Sequence, residues 1–150
     1  MSLSTRLTTA FGRVGTEIKS IRTQLNLTDQ YAKRWEQEIL SQSETRKVGF
    51  GPVPHGLYVP YNVQLKGVHY KLGSSTTSGD TKATLYELSA SFSLTDLGFS
   101  MNIPANADKQ TVTNTAVNVN AGSRLVIEIT DVGSGTIGTG LYVSLWGVYR

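Results

Sequence analysis

The sequence contains one glycine pattern of the kind that binds nucleotides, at residues 133–138 (Gly-Ser-Gly-Thr-Ile-Gly). In dinucleotide-binding proteins this pattern opens a helix whose N-terminus holds the pyrophosphate, and an acidic residue follows about 20 positions later. Here a strand-like pattern follows, and Arg150 ends the sequence before such an acidic residue. No lysine follows the glycines, which also excludes a P-loop. We therefore predict a flexible hairpin loop.

Two carboxylates, those of Glu87 and Glu128, are the candidates for glycoside hydrolysis, which needs a pair of acidic groups around the scissile bond. Each stands mid-strand, on the face that we expect to lie opposite the core. They become neighbours only if their strands pair, and a sequence does not supply that geometry. Two ordinary exposed charges are the expected outcome, and a carbohydrate-active enzyme on a jelly roll is the distant alternative.

Other catalytic residue types are scarce. Neither His55 nor His69 has a second histidine or a carboxylate at a spacing typical of metal ligands. No serine lies in a G-x-S-x-G motif, and the absence of cysteine excludes disulfides and Cys/His pairs. We therefore predict no enzymatic activity, no cofactor and no catalytic or metal-binding residue.

Aromatic residues form a further candidate surface, because their rings can stack on sugars. More often such rings fill a core or a subunit interface. Trp146 lies opposite the apolar face of its strand, so it is either exposed or buried by another chain, and an interface is the simpler explanation. We treat Trp146 and Tyr149 as a candidate interface or ligand surface. The wider set of candidate sugar-stacking residues is Tyr58, Tyr61, Tyr70, Trp146 and Tyr149.

These aromatic residues belong to a region, 57–150, in which apolar and polar residues alternate with the period of a β-strand. Glycine-rich and polar turns separate the alternating segments. Six to eight strands at this spacing predict an antiparallel β-sandwich of jelly-roll type. The apolar phase changes at Gly67, which predicts a β-bulge there. The clearest alternating runs are Tyr86–Phe92, Leu125–Ile129 and Leu141–Leu145.

The N-terminal third has a different, helical period. Its apolar residues are separated by four and three positions in turn, which is the a/d pattern of a coiled coil. The first six of them are Leu7, Phe11, Val14, Ile18, Ile21 and Leu25. The frame continues to Trp35 and Ile39 through the weaker positions Thr28 and Ala32, unless residues 26–29 end one helix and cap a second over 29–42. Ser4 is the predicted N-cap.

This narrow stripe, the oligomerisation seam, needs a partner because a single helix of this kind is marginal in water. It packs either on the β region of its own chain or on copies of itself. The period of about 3.5 residues favours self-association, and isoleucine at both an a and a d position, Ile18 and Ile21, favours three strands. We therefore predict a homotrimer.

Composition and charge divide the chain in the same way. We predict a helical oligomerisation and anchoring stem at 1–47, a Gly/Pro-rich linker at 48–56 and a β head at 57–150. The stem holds eight Lys/Arg against five Asp/Glu, and the rest of the chain holds six of each. A neutral β head excludes a broad nucleic-acid footprint. No apolar run approaches the ~20 residues of a membrane span, so we expect no membrane insertion.

Two stretches of the sequence resemble a known class of proteins. The N-terminal segments 3–7 (Leu-Ser-Thr-Arg-Leu) and 16–22 (Thr-Glu-Ile-Lys-Ser-Ile-Arg) resemble small virion proteins of tailed bacteriophages that infect actinobacteria. The C-terminal segments 121–127 and 140–150 look like the last strands of phage fibre knobs. The resemblance implies a virion protein, trimeric in many relatives and without catalysis. It transfers no functional residue.

The sequence therefore predicts a non-enzymatic phage structural protein located in the virion. The first interpretation is a trimeric minor tail protein, a tail-tip or fibre component that binds the host surface. The alternative is a capsid decoration protein that stabilises the head or forms a head fibre. The expected partners are copies of itself, other tail or capsid proteins and a host-surface glycan.

Overall fold

The computed structural model describes residues 2–50 and 56–150. The chain divides into two units, Met1–Arg34 and Trp35–Arg150. The first unit is helical and the second is built from strands. The predicted linker, 48–56, falls inside the second unit, and its residues 51–55 lie outside the described parts.

The N-terminal unit is one helix, α1, which spans Leu3–Ala32. Its N-cap is Ser2, whose Oγ accepts a hydrogen bond from the Thr5 amide at 3.3 Å, so the predicted cap at Ser4 is wrong. The helix also continues through residues 26–29, where we considered an end and a second cap. The apolar spacing from residue 7 to residue 25 therefore lies on one continuous helix.

Strand β1 occupies Arg34–Thr45, where the sequence pattern predicted helix. Trp35 is 4% exposed in the core of the β unit, and Ile39 packs against that core, so neither residue continues the helical seam. The prediction of helix as far as residue 47 is wrong here. The helix propensity of Glu and Gln is a weak preference, and burial of a side chain as large as Trp35 overrides it.

Within the described residues, seven further strands follow β1, and together they form two sheets. Sheet 1 has the order β1-β8-β3-β6 and sheet 2 the order β2-β7-β4-β5. The strands are β2 (Leu57–Tyr58), β3 (Val63–Leu72), β4 (Ser78–Leu88), β5 (Leu94–Ile103), β6 (Lys109–Val119), β7 (Arg124–Ser134) and β8 (Thr139–Tyr149). Strands β3, β4 and β7 each pair with both of their neighbours in antiparallel orientation.

Consecutive strands alternate between the two sheets, except that β4 and β5 are neighbours in sheet 2. Eight strands in this order form a jelly roll, in which a Greek-key path places both chain halves in both sheets. The predicted antiparallel β-sandwich is therefore confirmed. A coiled coil between helices of different chains stays a prediction.

The core lies between the inner faces of the two sheets, where the described residues pack apolar side chains tightly. Strands β7 and β8 present the predicted inward residues, and the register of β3 shifts between Leu65 and Gly67, which confirms the predicted bulge. The phase predicted for β4 is wrong. The inward residue is Leu85 rather than Tyr86, and Phe92 lies in the following turn with 86% of its side chain exposed.

Tyr70 connects the two sheets through the core. It lies on β3 with no exposed surface, and its hydroxyl donates a hydrogen bond to the backbone carbonyl of Phe99 on β5. Burial, and in second place the negative charge of Asp96, raises the pKa of the Tyr70 hydroxyl far above its ordinary value. The fold therefore requires the neutral phenol.

Replacing Tyr70 with phenylalanine should change how stability depends on alkaline pH. Because the folded-state pKa is raised, the contribution of Tyr70 is complete below its unfolded pKa of about 10 and is lost as pH rises through the folded-state pKa. This residue should lower the free energy of unfolding by about 1.4 kcal/mol per pH unit above pH 10. At pH 7, Tyr70→Phe should lower the free energy of unfolding by about 1 kcal/mol, because the hydrogen bond is lost. Above pH 10, the free energy of unfolding of this variant should fall less steeply with pH than that of the wild type. Urea unfolding between pH 7 and pH 11 measures both effects, and equal alkaline slopes would contradict this role.

Candidate functional site

The glycine-rich segment 133–138 is not built to bind a nucleotide. It begins with the last two residues of β7 in sheet 2 and leads directly into β8 in sheet 1, so the segment contains no helix N-terminus that could bind a phosphate. Because it crosses between the sheets, the predicted hairpin is wrong. Gly133 and Gly135 have φ angles of 75° and 73°, a conformation that glycine adopts at little cost.

Arg46 stabilises the connection between β7 and β8 from inside the β unit. Its side chain is 1% exposed, and Nη1 donates hydrogen bonds to the carbonyl oxygens of Ser74 and Thr139 at 2.7 Å and of Gly140 at 3.2 Å. Burial lowers the pKa of the Arg46 guanidinium, while the carbonyl dipoles stabilise its charge. The loop is therefore held by hydrogen bonds at one end of the sandwich. A single arginine gives no sequence signal of such a role.

Glu87 and Glu128 lie on neighbouring strands but on opposite faces of sheet 2. Glu128 stands across from Thr84 and Glu87 across from Leu125, three positions apart along the strand, and side chains alternate between faces. Glu87 therefore lies on the side of the buried Leu125, where it accepts a hydrogen bond from Ser123 Oγ at 2.5 Å. The prediction that both residues face away from the core is wrong, and the two carboxylates do not form a catalytic pair.

Glu128 has a partner on the outer face of sheet 2. The Tyr86 hydroxyl is hydrogen-bonded to the Glu128 carboxylate. Burial raises the pKa of this hydroxyl, and the negative charges of Glu128 and Asp96 raise it further. The ring of Phe50 packs edge-on against Tyr86 with 6.2 Å between ring centroids. The carboxylate of Glu128 is thus a local hydrogen-bond acceptor.

Of the two histidines, only His69 lies within the described residues. His69 lies on β3, and its Nδ1 is 2.8 Å from Thr111 Oγ1 on the neighbouring β6. His55 lies outside the described residues. Within 2–50 and 56–150, no group of three or more His, Asp or Glu residues could hold a metal ion.

The apolar residues of α1 form a stripe that we call the helix stripe. Each of its described side chains has about half or more of its surface exposed, so the stripe is accessible in the single chain. The exposed fractions are 72% for Phe11, 50% for Val14, 47% for Ile18, 54% for Ile21 and 61% for Leu25. The side chain of Leu7 lies outside the described parts.

Trp146 and Tyr149 do not share a surface. Trp146 stands across from Gly67 on the outer face of sheet 1, whereas Tyr149 stands across from Val63, whose side chain points inward. Trp146 is half-buried within its own chain because its indole lies directly over Gly67, which has no side chain. Trp146 is therefore partly buried without another chain, and its place in an interface or ligand surface stays a prediction.

Three exposed tyrosines lie at the end of the sandwich opposite Arg46, and we call this group the tyrosine end. Tyr58, Tyr61 and Tyr149 are 52%, 64% and 37% exposed. The rings of Tyr61 and Tyr149 meet edge to face at 6.0 Å, and the Arg124 guanidinium lies 5.5 Å from the Tyr58 ring centroid. These contacts hold the phenol rings in place while leaving much of their surface open.

The backbone beneath the tyrosine end is well connected. Asn62, next to Tyr61, accepts a hydrogen bond from the Ala121 amide at 2.9 Å through its side chain and another from the Arg150 amide at 3.0 Å through its carbonyl. The loop that carries Tyr61 is therefore fixed to the β6–β7 connection and to the end of β8. Of the five aromatic residues considered as a sugar-stacking surface, the fold exposes three at one end of the sandwich, buries Tyr70 and places Trp146 elsewhere.

Comparisons with known proteins show similarity of fold and no family. No family model matches the chain, and no curated protein matches it. Similar solved structures include the globular domain of zebrafish complement 1qA protein, at 14% identity and a TM-score of 0.42, with 78% of this chain and 96% of that chain covered. None of the described helices combines the length and hydropathy that a membrane span requires.

Two further similar structures come from bacteriophages. The acidic stable capsid structure of Helicobacter pylori bacteriophage KHP30 is 10% identical with a TM-score of 0.45, covering 76% of this chain and 92% of that one. The SPBc2 prophage-derived protein YomS is 11% identical with a TM-score of 0.38, covering 77% and 94%. At these values the similarity describes the β architecture alone.

Gly67→Ala should displace Trp146 from sheet 1. A Cβ at residue 67 would lie 2.0 Å from Trp146 Cζ2, so the indole must move outward, at a cost of about 1–3 kcal/mol in unfolding free energy. We expect a red-shifted tryptophan emission, because Trp35 remains buried and Trp146 gains contact with water. Trp146→Phe with and without Gly67→Ala provides the matched control, since Trp35 alone should report no shift. Unchanged emission of the single variant would contradict this packing.

Proposed function

We propose that this chain is a non-enzymatic structural protein of a bacteriophage virion. It assembles as a homotrimer through α1, and its jelly-roll unit serves as a tail-tip or fibre head that contacts the host surface. The observation that carries the proposal is the continuous, exposed apolar stripe on a 30-residue helix joined to a separate β unit. The assignment to a bacteriophage virion is supported by the resemblance of both ends of the sequence to phage virion proteins.

The helix stripe supports assembly because it suits other helices better than water. Helix α1 is uninterrupted, so Phe11, Ile18 and Leu25 occupy successive a positions and Val14 and Ile21 occupy d positions. A stripe two residues wide per heptad is the geometry of a coiled-coil seam. Moving each half-exposed side chain into a bundle interior would contribute on the order of 1 kcal/mol per chain. Isoleucine at both kinds of position favours three helices.

The tyrosine end supports host-surface binding. Exposed phenol rings offer flat apolar faces with hydroxyl groups at their edges, and this combination suits the apolar faces and hydroxyls of a saccharide. Tyr61 and Tyr149 are held by their mutual contact and by the hydrogen bonds of Asn62, so little conformational entropy is lost on binding. We assign this end to a glycan of the host cell surface.

A capsid decoration protein is the second candidate. The same trimer would then sit on the shell, and its jelly roll would contact capsid proteins at the surface shared between capsomers. Antibody labelling of purified phage particles, followed by electron microscopy, separates the two locations: label at the tail supports a fibre component, and label over the head supports decoration.

Two charges placed in the helix stripe should abolish the trimer. Ile18→Asp combined with Ile21→Asp puts carboxylates where the helices meet, so we expect a monomer by light scattering and less helical circular dichroism. The matched control, Ser20→Asp combined with Thr23→Asp, adds the same charge at outward positions and should remain trimeric. A wild-type chain that is monomeric at every concentration measured would overturn the assembly part of the proposal.

Loss of an exposed tyrosine should weaken saccharide binding. We expect polysaccharide released from the host cell wall to bind the full chain, and Tyr61→Ala to weaken that binding about five- to tenfold, the effect of one aromatic contact. Tyr142→Ala is the control, because Tyr142 is 49% exposed on β8 at a distance from Tyr61. Isothermal titration calorimetry measures both. Equal losses for the two variants, or no binding to wild type, would reject the tyrosine end as the site.

A further inference from the structure

The apolar stripe of α1 does not determine the direction in which helices associate. Its spacings of four, three, four, three and four residues read the same from either end. Parallel and antiparallel neighbours therefore bury equivalent sets of side chains. If the helices associate in one direction, the residues that flank the stripe must select it.

The flanking positions carry one complementary pair of charges near the middle of the stripe. In the frame set by Ile18 at a and Ile21 at d, Glu17 occupies a g position and Arg22 occupies the following e position. Both side chains are exposed in the single chain. The nearby cations Arg13 and Lys19 fall at the outer c and b positions, away from a neighbouring helix.

In parallel, in-register coiled coils, a g residue lies beside the e residue five positions later on the neighbouring helix. Glu17 of one chain would then lie beside Arg22 of the next, and a trimer repeats this contact three times around its axis. In an antiparallel arrangement, g positions face g positions and e positions face e positions, so Glu17 and Arg22 cannot meet. A shift by one heptad in a parallel bundle also separates them.

We infer that Glu17 and Arg22 select a parallel, in-register bundle of three α1 helices, and this inference rests on the proposed self-association. The partner of each helix is a further copy of the same chain. All three chains leave such a bundle at the Ala32 end, so three β units connect to one end of it. The apolar stripe supplies the attraction, and the pair supplies direction and register.

Charge exchange on the full chain tests the pair. Glu17→Arg places like charges at every contact, as does Arg22→Glu, and each should raise the trimer dissociation constant about tenfold or more. The double exchange restores opposite charges and should bring the constant back toward wild type. Lys19→Glu, at an outward position, is the matched control and should change it little. Sedimentation equilibrium at low salt measures all four variants, because salt screens exposed pairs.

Disulfide trapping tests the direction independently, since the chain has no cysteine of its own. Ser4 occupies an a position and Thr28 a d position near the two ends of α1, about 36 Å apart at 1.5 Å per residue. In a parallel bundle, Ser4→Cys alone and Thr28→Cys alone should each form disulfide-linked chains under mild oxidation. A mixture of the two should then yield no 4-to-28 linkage.

The outcomes separate this inference from the proposed function. A trimer with 4-to-28 linkages, or one in which the double charge exchange gives no recovery, overturns the inference and leaves the assembly proposal intact. A wild-type chain that never associates overturns both. A trimer with like-to-like linkages and recovery in the double exchange supports both.

Discussion

The β unit depends on burying the inner faces of its two sheets against each other. Side chains such as Leu65, Phe99 and Leu125 have no exposed surface, and apolar burial contributes about 25 cal/mol for each Å² removed from water. Because side chains alternate along a strand, the apolar residues that must face inward determine which face each of the remaining residues occupies. Two polar groups that enter the interior, the Tyr70 hydroxyl and Arg46 Nη1, donate hydrogen bonds to backbone carbonyl groups, whereas Nε and Nη2 of Arg46 are buried without a hydrogen-bond partner among the described residues.

The same burial explains which parts of the fold were predictable. Strands β7 and β8 alternate because one face is buried, so their period and inward residues are visible in the sequence. The bulge at Gly67 was visible as a change of phase. Strand β1 shows no such alternation, because its buried positions include polar Ser41 and Gln42 beside Trp35. Its residues favour helix locally, and only the rest of the sandwich makes it a strand.

The candidate surfaces were less predictable, since they depend on pairing between distant segments. Tyr61 and Tyr149 meet because the start of β3 pairs with the end of β8, and no local pattern reports that register. The alternation in the sequence predicts the wrong face for Glu87, because two of the apolar residues that define it, Ala90 and Phe92, lie in the turn after β4, which ends at Leu88. Trp146 was correctly assigned to the outer face, but its burial over Gly67 required the neighbouring strand.

Helix α1 illustrates the opposite situation, in which local pattern carries nearly all the information. Its stripe is too narrow to build a core of its own, so its burial has to come from outside the helix. The spacing of apolar residues predicts helices of further copies as the neighbours, isoleucine at Ile18 and Ile21 favours three of them, and both stay predictions. Because that spacing is symmetric, it says nothing about direction. Direction can come only from an asymmetric feature beside the stripe, and Glu17 with Arg22 is a charge pair that only a parallel, in-register neighbour can complete.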